Sequence, residues 1–494
     1  MICVSIGRGR HRQMIAEHKH LAEKGAKLVE LRLDYLHRDV SLQRVVSDRP
    51  CPVIVTCRRP QDGGKWKKSD QDRVTLLRSA IAAGVEYVDL EEDVAKQVPR
   101  FGDTKRIVSL HDFEKTPADL EEIHARLVAC DADIVKIATM AHNPQDNLRM
   151  FRLMQQSAIP TVGVCMGEIG TPTRILANKF GAPFTYATFH QERSLAPGQL
   201  SFDRMREIYR VDEINKETEV YGVIADPVAH SLSPIVHNAS FATLKMNKVY
   251  VPFRVPAATL DRFIKDCDEL GVKGLSVTIP HKEAVMQHCQ RIDGAARAIG
   301  AVNTVVFGDG GPVGYNTDYR AAMNSIDRRL QAGGRRTPLA GDAGLVLGAG
   351  GAARAIAVGL MRRGADVVIS GRTLQRAEKL ARSIECRSVP WEQRHNVKAE
   401  VVVNATPVGM HPNVDESPYD MHYLRPNAIV FDTVYNPEQT LLYKEAQQRN
   451  CRVISGVEMF IGQAALQFKH FTGQDAPENL MREQFKRAIG AAKY

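Results

Sequence analysis

The 494-residue sequence lacks the features that mark several large classes of protein. No apolar run approaches the roughly 20 residues of a membrane-spanning helix, and the chain starts on a strand-like run instead of a signal peptide. Its nine cysteines include no C-x-x-C pair and no metal-ligand spacing, which favours a reducing compartment. Lys and Arg form no long block, and the net charge of +9 is small for this length, so nothing indicates a nucleic-acid tract.

The composition that remains is that of an ordinary globular protein, with 44% hydrophobic and 25% charged residues. At this length we expect about two to four domains, each with room for its own core. The mild positive charge is compatible with small anionic substrates. We therefore predict a cytoplasmic enzyme acting on small molecules, with no nucleic-acid or membrane partner.

The most informative stretch is Ala343–Thr373, AGLVLGAGGAARAIAVGLMRRGADVVISGRT. An apolar strand, Leu345–Leu347, leads into glycines, and a helical pattern begins at Ala353. Gly348 allows a tight turn, and Gly350 lets backbone N–H groups approach a pyrophosphate. The strand–glycine–helix context predicts a dinucleotide-binding site.

A second apolar strand, Asp366–Ser370, follows that helix and ends at Gly371-Arg372-Thr373. A cofactor with a free ribose hydroxyl favours Asp or Glu at this position, whereas Arg372 suits a 2′-phosphate. The alternative is a glycine-tightened turn with a solvated Arg beyond it. We interpret the stretch as an NADPH site.

The first half of the chain alternates short apolar runs with helical patterns. Eight strand–helix units in roughly 200 residues are what a closed (β/α)8 barrel requires, and an open doubly wound sheet is the alternative. A barrel would gather functional side chains at the carboxyl ends of its strands. The eight runs are Ile2–Ile6, Leu28–Leu33, Val53–Cys57, Tyr87–Leu90, Ile107–Leu110, Ile134–Ala138, Thr161–Cys165 and Thr185–Phe189.

Charged side chains do lie in or just after these runs. Lys136 lies inside IVKIA, where flanking Ile and Val should desolvate it, lower its pKa and free its amine to attack a carbonyl. An ion-paired barrel lysine is the alternative. His111 could act as general acid and base, although a lone His is more often structural, and Arg32, Arg58 and Arg174 would orient a carboxylate. The full set is Glu30, Arg32, Asp34, Arg58, Glu91, His111, Lys136 and Arg174.

The ordered segments ELRLD, TCRR, SLHDF, DIVKIA and LAPGQ, over residues 1 to about 210, resemble type I 3-dehydroquinate dehydratase. The resemblance implies that Lys136 forms a Schiff base with the C3 carbonyl of 3-dehydroquinate. It also implies that His111 removes a C2 proton and helps the C1 hydroxyl leave. Leu195 stands where the family usually has Ser, with Ser194 displaced by one, which leaves one substrate hydrogen bond open. The residues implied at the substrate are Glu30, Arg32, Arg58, Asp62 (where the family usually has Glu), Arg174 and Gln199.

The second half follows a charged helical run, Phe202–Thr218, and restarts with the strand Tyr221–Asp226. In the next segment, PVAHSLSPIVHNASF, Ser231 and Ser233 precede Pro234, the expected first helical residue. Their hydroxyls could donate to a carboxylate, or Ser233 could simply cap the helix.

Lys282 in GLSVTIPHKEA follows an apolar strand and a Pro turn, and Asp318 follows a predicted hairpin, AVNTVVFGDGGPVGYNTD. A Lys and an Asp at separate strand ends could form a proton-transfer pair, with a surface ion pair as the alternative. A Gly- and Arg-rich loop, Gly333–Asp342, precedes the nucleotide stretch. VVVNAT and IVFDTVY then read as strands, and GVEMFIGQAALQF starts the closing helices.

The ordered segments SLSP, VTIPHK, AVNT, GYNTD, GAGGAARA, GRT, NATPVGM and GxEMxxxQA, over about 219–494, resemble shikimate dehydrogenase. The resemblance implies that Lys282 and Asp318 are the catalytic pair. Ser276 and Gly371 stand where many bacterial relatives have Asn. The residues implied at the substrate are Ser231, Ser233, Thr278, Asn303, Thr317, Tyr435 and Gln463. Those implied at NADPH are Gly348, Ala349, Gly350, Gly351, Ala352, Arg372, Thr373, Arg376 and Thr406.

The expected fold is α/β: an N-terminal (β/α)8 barrel at 1–212, then a two-domain dehydrogenase. The dehydrogenase would have a substrate-binding domain at 219–330, completed by helices at 461–494, and a C-terminal Rossmann-type NADP-binding domain at 331–460. The first half would make 3-dehydroshikimate and the second would reduce it to shikimate, with no metal implied. One alternative is an inactive regulatory relative that binds pathway intermediates, which the presence of Lys136, His111, Lys282 and Asp318 argues against. Another is quinate dehydrogenase activity in the second half, which tends to use NAD and which Arg372 argues against.

Overall fold

The computed structural model describes residues 1–332 and 339–491. The described chain divides into two compact units. The first comprises Met1–Pro234 and Met246–Gly271; the second comprises Ile235–Lys245 and the chain from Val272 onward. Among the helices of these residues, none is long and apolar enough to cross a membrane.

The strands are β1 (Ile2–Ile6), β2 (Leu28–Arg32), β3 (Val53–Thr56), β4 (Tyr87–Glu91), β5 (Lys105–Asp112), β6 (Ile134–Met140), β7 (Thr161–Met166), β8 (Thr185–Thr188), β9 (Glu219–Ala225), β10 (Lys248–Arg254), β11 (Val272–Val277), β12 (Arg291–Ile292), β13 (Thr304–Val306), β14 (Val313–Tyr315), β15 (Ala343–Leu347), β16 (Asp366–Gly371), β17 (Arg387–Pro390), β18 (Val401–Asn404), β19 (Ile429–Asp432) and β20 (Arg452–Ile454). The α-helices are α1 (His11–Glu23), α2 (Leu42–Val46), α3 (Asp70–Ala82), α4 (Glu92–Ala95), α5 (Leu120–Val128), α6 (Pro144–Gln156), α7 (Thr171–Ile175), α8 (Ser233–Thr243), α9 (Leu260–Asp266), α10 (Gly294–Ile299), α11 (Thr317–Ala332), α12 (Gly351–Arg362), α13 (Leu374–Ser383), α14 (Leu441–Gln448), α15 (Gly456–Thr472) and α16 (Glu478–Ala491).

The eight predicted runs of the first half all form strands of one parallel sheet. Their order is β7-β6-β5-β4-β3-β2-β1-β8, so each strand lies beside its neighbours in the chain, as a barrel requires. A helix follows each of the first seven strands, because the apolar runs alternate with amphipathic segments. The predicted barrel is confirmed, and the open doubly wound alternative is wrong for this half.

The barrel is nearly closed: in the described sheet, no ladder joins β7 to β8. The end of β8 bonds to the segment after it: Thr188 N donates to Leu200 O at 2.9 Å, and Thr188 bridges Ser201. The guanidinium of Arg174, in α7, lies 3.5 Å from the Tyr186 carbonyl oxygen of β8. Backbone groups of β8 that could pair with β7 are therefore bonded instead to the segment after β8 and to Arg174.

The join between the halves differs from the prediction of a helical run at Phe202–Thr218. The residues form a π-helical turn, Arg204–Ile208, and a 3₁₀ turn, Val211–Glu213. Arg210 between them has a left-handed backbone with φ of 49°, which cannot continue a right-handed helix.

The next helix also starts one residue earlier than predicted. α8 begins at Ser233, so Pro234 is its second residue. Proline is tolerated there because the first N–H groups of a helix have no acceptor within it.

The strands of the middle segment pair within each unit as follows. In the first unit, β9 and β10 are parallel. In the second unit, β11 and β13 are antiparallel, β13 and β14 are antiparallel, and β14 and β12 are parallel. The β13–β14 pair is the predicted hairpin, which is confirmed.

The nucleotide stretch lies in a parallel sheet of order β17-β16-β15-β18-β19-β20. Numbered from β15, this is the 3-2-1-4-5-6 order of a doubly wound Rossmann fold, which confirms that prediction. Alternate residues of β15 pack into two cores: Val346 joins Ala353 and Ile356 of α12, whereas Leu345 joins Leu442 of α14. The sheet is therefore covered on both faces, and a crevice is expected at the carboxyl ends of β15 and β18, where the strand order reverses.

Part of the predicted Gly333–Asp342 loop, residues 333–338, lies outside the described residues. The two compact units do not coincide with the three predicted domains. The boundaries at 1–212, 219–330 and 331–460 therefore stay predictions.

Candidate active sites

A cavity opens at the carboxyl ends of the barrel strands. Strand ends meet there because all eight strands run in the same direction. Of the residues named from sequence for the first site, Asp34 and Glu91 do not line the cavity, whereas those that do are Glu30, Arg32, Arg58, Asp62, His111, Lys136, Arg174 and Gln199. Ser5, Tyr186 and Leu195 line it as well.

Lys136 projects from β6 into the barrel and is 6% exposed. Its Nζ donates to Asp89 Oδ2 at 3.0 Å and lies 3.7 Å from Glu30 Oε1. The ring of Tyr186 lies against the same ammonium group, 4.2 Å from Nζ to the ring centroid. The burial of Lys136 was predicted correctly. Two carboxylates contact its ammonium group, as in the ion-paired alternative, so the flanking Ile and Val are not its immediate surroundings.

The flanking apolar residues do not surround Lys136 because successive side chains of a strand face opposite sides. Ile137 pairs with Gly163, and a side chain at Gly163 would meet Met150 of α6. Ile137 therefore packs toward the helices. Ile134 and Ala138, two residues from Lys136, share its face and belong to the buried cluster inside the barrel.

Asp89 is the residue of this site that the sequence interpretation missed. Its carboxylate accepts hydrogen bonds from Ser109 Oγ at 2.6 Å and Lys136 Nζ at 3.0 Å, and Arg58 Nη2 lies at 2.8 Å. Burial opposes its ionisation, but Arg58, Lys136 and His111 hold the pKa of Asp89 far below its ordinary value. Asp89 is thus a permanent anion shared by two cations. Its position two residues before Glu91, on the same strand face, was the available signal.

Glu30 is a second anion beside Lys136. It accepts hydrogen bonds from Ser5 Oγ at 2.6 Å and Thr56 Oγ1 at 2.9 Å. Burial opposes ionisation, and Lys136 and Arg32 nevertheless keep the pKa of Glu30 below its ordinary value. Two carboxylates, those of Asp89 and Glu30, therefore lie beside the ammonium group of Lys136.

His111 lies at the end of β5 with Nδ1 3.0 Å from Arg58 Nη1. A guanidinium can only donate, so Nδ1 accepts, and the proton of the neutral ring belongs on Nε2. Burial, together with Arg58 and Lys136, lowers the pKa of His111 well below its ordinary value. The ring is therefore neutral at neutral pH, and its basic nitrogen is Nδ1, which can take a proton from a ligand when its hydrogen bond from Arg58 is released.

Arg174 differs from the other cations of the cavity because it has no carboxylate partner among the described residues. It is 2% exposed, and its contacts are carbonyl oxygens: Tyr186 O at 3.5 Å and Pro197 O at 3.4 Å. Among the described residues, none is a hydrogen-bond partner of Arg174 Nε, and none forms an ion pair with Arg174. Burial lowers the pKa of Arg174 to about 10, which leaves it charged at neutral pH. An unpaired buried charge is costly unless a ligand compensates it, and an anionic ligand fits this one.

The two other charged residues of the wall contact partners from their own loops. Arg32 forms two hydrogen bonds of 2.9 Å with Asp34, and Arg59 Nε donates to Asp62 at 2.7 Å. Arg32 and Asp62 are thus fixed in place by the protein before any ligand binds.

The loop that closes the cavity is organised by Gln199. Its side-chain oxygen accepts from Leu195 N at 2.8 Å and Ala196 N at 3.2 Å, so only its amide nitrogen remains to serve a ligand. Ser194 is exposed and donates to Ala196 O at 2.6 Å within the loop. Leu195, not the displaced Ser194, lines the cavity. Ser194 therefore does not supply, in this arrangement, the substrate hydrogen bond that the Ser of the family would make.

In the second unit, Lys282 and Asp318 form a direct ion pair. Nζ donates to Asp318 Oδ2 at 2.6 Å, and both side chains are mostly buried. Asp318 lies in the first turn of α11, where the helix dipole favours a negative charge. A side chain added at Gly351 would lie 3.2 Å from Lys282 Cδ, so the stem of Lys282 runs along the glycine loop.

Asn303 and Thr317 are joined in a buried pair near Asp318. Asn303 Nδ2 donates to Thr317 Oγ1 at 2.9 Å, and Thr317 N donates to Asn303 Oδ1 at 2.8 Å. Ser276, flagged as a departure, donates to Gln467 Oε1 at 2.8 Å. Gln467 was missed from sequence, and it also donates to the Asn303 carbonyl at 3.1 Å.

The remaining predicted substrate residues are more dispersed. The Thr278 carbonyl accepts from His281 N in the turn before Lys282. The Tyr435 ring packs against aromatic residues of α15 and α16, and Gln463 Nε2 donates to the Phe460 carbonyl within α15. Ser231 and Ser233 belong to the first unit, where Ser231 Oγ lies 3.4 Å from Ser233 N.

The glycine loop fits the pyrophosphate of a dinucleotide. Gly348 has a left-handed φ of 119°, and a side chain there would lie 2.6 Å from the Ala405 carbonyl oxygen. A side chain at Gly350 would meet nothing within 4 Å, so the space above the loop is open. The N-cap of α12 is Gly350, which has no side chain to cap the helix, so the loop leaves the amides of Gly351 and Ala352 available for a phosphate. Ala349 lies between the two loop glycines.

The strand end beyond this loop fits a phosphate on the ribose. Arg372 follows the last residue of β16, Thr373 is the N-cap of α13, and Arg376 lies in its first turn. All three are exposed, and neither arginine forms an ion pair with another residue of 1–332 or 339–491. Across the crevice, Thr406 Oγ1 donates to Asn404 Oδ1 at 2.6 Å at the end of β18.

Models of four protein families match successive parts of the chain. Residues 2–216 match type I 3-dehydroquinase, and residues 223–305 match the shikimate dehydrogenase substrate binding domain. Residues 344–434 match NADP oxidoreductase coenzyme F420-dependent, and residues 456–484 match the shikimate 5'-dehydrogenase C-terminal domain. The dehydratase match covers the barrel cavity, and the other three matches cover the later part of the chain that contains the second site.

Individual proteins match over the same ranges. Shikimate dehydrogenase (NADP(+)) from Methanopyrus kandleri is 42% identical over 55% of this chain and 96% of its own. A crystal structure of a shikimate dehydrogenase in complex with NADP+ is 38% identical, covers 56% of this chain and 97% of that one, and has a TM-score of 0.51. A structure of quinate dehydrogenase from Corynebacterium glutamicum in complex with NAD is 29% identical over 55% and 99%, with a TM-score of 0.50.

One relative matches almost the whole chain. The chloroplastic bifunctional 3-dehydroquinate dehydratase/shikimate dehydrogenase of Arabidopsis thaliana is 38% identical over 97% of this chain and 83% of its own length. A cytoplasmic location for the present chain stays a prediction. With both folds and both family matches in sequence order, the chain belongs to the bifunctional 3-dehydroquinate dehydratase/shikimate dehydrogenase family, an enzyme of the shikimate pathway that is both a lyase and an NADP-dependent oxidoreductase.

Proposed function

We propose that Lys136 and His111 carry out the dehydration of 3-dehydroquinate. The amine of Lys136 adds to the C3 carbonyl and water leaves, giving a protonated imine. Released from Arg58, Nδ1 of His111 takes the C2 proton, the C1 hydroxyl then leaves as water with a proton returned by His111, and hydrolysis of the imine frees the lysine and the product. Asp89 and Glu30, 3.0 and 3.7 Å from Nζ, support this role because they can stabilise the iminium charge that replaces the ammonium.

The single observation that carries the substrate assignment is the unpaired guanidinium of Arg174. A buried cation bonded only to carbonyl oxygens favours a carboxylate ligand, and 3-dehydroquinate has one. Glu30, Arg58 and the amide of Gln199 would then hold the ring hydroxyls. Arg32 and Asp62, which are already paired, would complete the wall.

We further propose that Lys282 is the proton donor for reduction of 3-dehydroshikimate. NADPH would be held by Gly348–Ala352, Arg372, Thr373, Arg376 and Thr406, and would supply the hydride. Negative charge develops on the carbonyl oxygen as the hydride arrives, and a cation that can release a proton there stabilises the transition state. The 2.6 Å contact with Asp318 holds the Lys282 ammonium in position.

The shikimate ring would be bound by hydroxyl and amide groups. Ser231 and Ser233, beside the start of α8, would donate to its carboxylate. Asn303, Thr317, Thr278, Tyr435 and Gln463 are proposed around the ring hydroxyls. The Asn303–Thr317 hydrogen bonds support this assignment, because a pre-ordered amide and hydroxyl lose little freedom when a ligand binds.

One experiment tests the imine proposal. Borohydride added with 3-dehydroquinate should reduce the imine and leave a mass adduct on the Lys136 peptide. The Lys282→Ala protein is the control and should give the same adduct. Lys136→Ala should lose dehydration by about 10³-fold or more, while it still reduces supplied 3-dehydroshikimate with NADPH. An unmodified Lys136 peptide with dehydration intact in the variant would end the proposal. Quinate with NAD, assayed in parallel, tests the alternative activity of the second half.

A further inference from the structure

The turn after β7 carries a carboxylate that is not part of the barrel cavity. Glu168 lies in the turn Gly167–Gly170, just before α7. On one side this turn contacts the loop that closes the cavity, since Gly167 N donates to Pro197 O at 3.2 Å. The Glu168 side chain does not line the cavity. The Glu168 carboxylate therefore has its partners outside the cavity.

That side chain binds the beginning of the dehydrogenase half. Glu168 Oε1 accepts from Val228 N at 3.1 Å and from Ala229 N at 2.7 Å, and Oε2 lies 3.1 Å from Arg254 Nη1 of β10. Arg254 Nε in turn donates to Asp226 Oδ1 at 2.8 Å. All of these residues belong to the first compact unit.

The segment so held is the one that carries Ser231. Ser231 N donates to the Val228 carbonyl at 3.0 Å, which closes a turn that contains the two residues whose amides Glu168 binds. Two successive amides that bind one carboxylate oxygen are oriented as in an anion-binding nest. Because hydrogen bonds to a charged acceptor are about twice as strong as neutral ones, Glu168 fixes this turn more firmly than a backbone contact would.

We propose that Glu168, a residue of the dehydratase barrel, is a positioning residue for the dehydrogenase reaction. It orients the 226–231 turn so that the Ser231 hydroxyl meets the substrate carboxylate. This inference rests on the proposed role of Ser231. It means that a residue of the barrel contributes to the dehydrogenase reaction.

The test is a set of variants in the full chain, assayed with 3-dehydroshikimate and NADPH. Glu168→Ala should raise the KM for 3-dehydroshikimate about three- to tenfold, with kcat and the KM for NADPH changed less than about twofold. Glu168→Gln should restore most of the affinity, because its amide oxygen can still accept from both backbone amides.

A second ion pair joins the same halves and gives a matched control. Arg152 of α6 binds Glu269, which follows α9, with Nη2 2.5 Å from Oε2, and neither residue touches the 226–231 turn. Arg152→Ala should leave the KM for 3-dehydroshikimate at the wild-type value. If Glu168→Ala behaves like Arg152→Ala, or lowers kcat and raises both KM values together, the positioning role is wrong.

Ser231→Ala separates this inference from the proposed function. If Ser231→Ala raises the KM and Glu168→Ala does not, the inference fails and the substrate assignment of Ser231 stands. If Ser231→Ala leaves the KM unchanged, the assignment of Ser231 itself fails, and the inference fails with it.

Discussion

The cations of the barrel cavity and those of the nucleotide-binding strand end are held in different ways. Arg32, Arg58 and Lys136 are buried, and each contacts a carboxylate. Arg372 and Arg376 are exposed, and no ion pair joins them to residues 1–332 or 339–491. The cavity charges therefore orient one another before a ligand arrives, whereas the strand-end arginines depend on the charge of the ligand.

This difference has a consequence for mutation. In a buried network, removing one charge leaves its partner unpaired in a low-dielectric site, so both activity and stability should fall. At an exposed strand end, the same change should affect binding alone. Arg174 belongs to neither group, because it is buried but has no carboxylate among the described residues. The following predictions test these distinctions.

Among the following predictions, the largest effect on activity is expected at the Lys282–Asp318 pair, which is mostly buried and would take part in the reaction. Lys282→Ala should lower kcat for 3-dehydroshikimate reduction by at least about 10²-fold, the usual scale for a lost general acid. KM should change much less, because Ser231, Asn303 and Gln463 would still bind the ring. Steady-state kinetics with varied 3-dehydroshikimate measure both.

Two comparisons sharpen the Lys282 prediction. Lys282→Arg keeps the charge but does not readily release a proton, so it should remain impaired. Dehydration by the barrel should be unchanged in both variants. A raised KM with kcat near wild type would make Lys282 a binding residue and would require another proton donor.

Arg174→Met should separate substrate binding from stability. Loss of the cavity cation that has no carboxylate partner among the described residues should raise the KM for 3-dehydroquinate about ten- to a hundredfold, while Tm should stay level or rise, because an uncompensated buried charge is removed. The measurements are dehydratase kinetics and thermal denaturation.

Arg58→Met is the control, because it leaves the Asp89 carboxylate without one of its two cations. Breaking a buried pair costs about 3–5 kcal/mol, so Tm should fall clearly. Equal losses of Tm in the two variants would mean that Arg174 supports the fold, and that its guanidinium is not reserved for substrate.

Arg372→Asp tests the exposed arginines at the nucleotide-binding strand end. Affinity for NADPH should fall more than about tenfold through lost attraction and new repulsion, whereas NADH should change far less. Tm should not move, because Arg372 is exposed and unpaired within the described chain. KM values for both cofactors decide the matter, and equal losses for NADPH and NADH would show that Arg372 does not bind the 2′-phosphate.

Much of the architecture could be predicted because it depends on local patterns. The eight barrel strands follow from apolar runs that alternate with helical segments, and the glycine loop follows from its strand–helix context. The surroundings of Lys136 could not be predicted from its sequence neighbours, because Val135 and Ile137 face the other side of the strand. Its real neighbours, Asp89 and Glu30, come from strands 47 and 106 residues away in the chain.

Partners of predicted residues were also missed where they come from distant helices. Gln467 binds Ser276 across 191 residues of chain, and no local pattern marks it. Conversely, the join at Phe202–Thr218 reads as helical by composition, but Arg210 interrupts it with a left-handed backbone. Composition predicts helix formation only where nothing in the tertiary structure requires a turn.

The smallest effect is expected at Asp432, which is the converse of Arg174: a buried carboxylate without a cation among the described residues. It accepts hydrogen bonds from Asn404 Nδ2 at 2.9 Å, Val434 N at 3.0 Å and Thr440 Oγ1 at 2.5 Å. Burial raises the pKa of Asp432 from 3.8 to about 6 despite these bonds. The folded state therefore binds the proton more tightly than the unfolded state between about pH 4 and pH 6, and stability falls as the pH rises through that window.

Asp432→Asn should remove this pH dependence. The amide keeps an oxygen for Asn404 and Val434, and its nitrogen can donate to Thr440, so the fold should be preserved. At pH 7.5 the variant should be more stable than wild type by at most about 3 kcal/mol, since two pKa units correspond to about 2.7 kcal/mol, and the advantage should vanish near pH 4. Asp89→Asn is the matched control, because the pKa of Asp89 is lowered and its loss should destabilise the protein at pH 7.5. Denaturation curves at the two pH values measure both variants, and an Asp432→Asn protein that is less stable than wild type at pH 7.5 would show that the charged carboxylate is required by its hydrogen bonds.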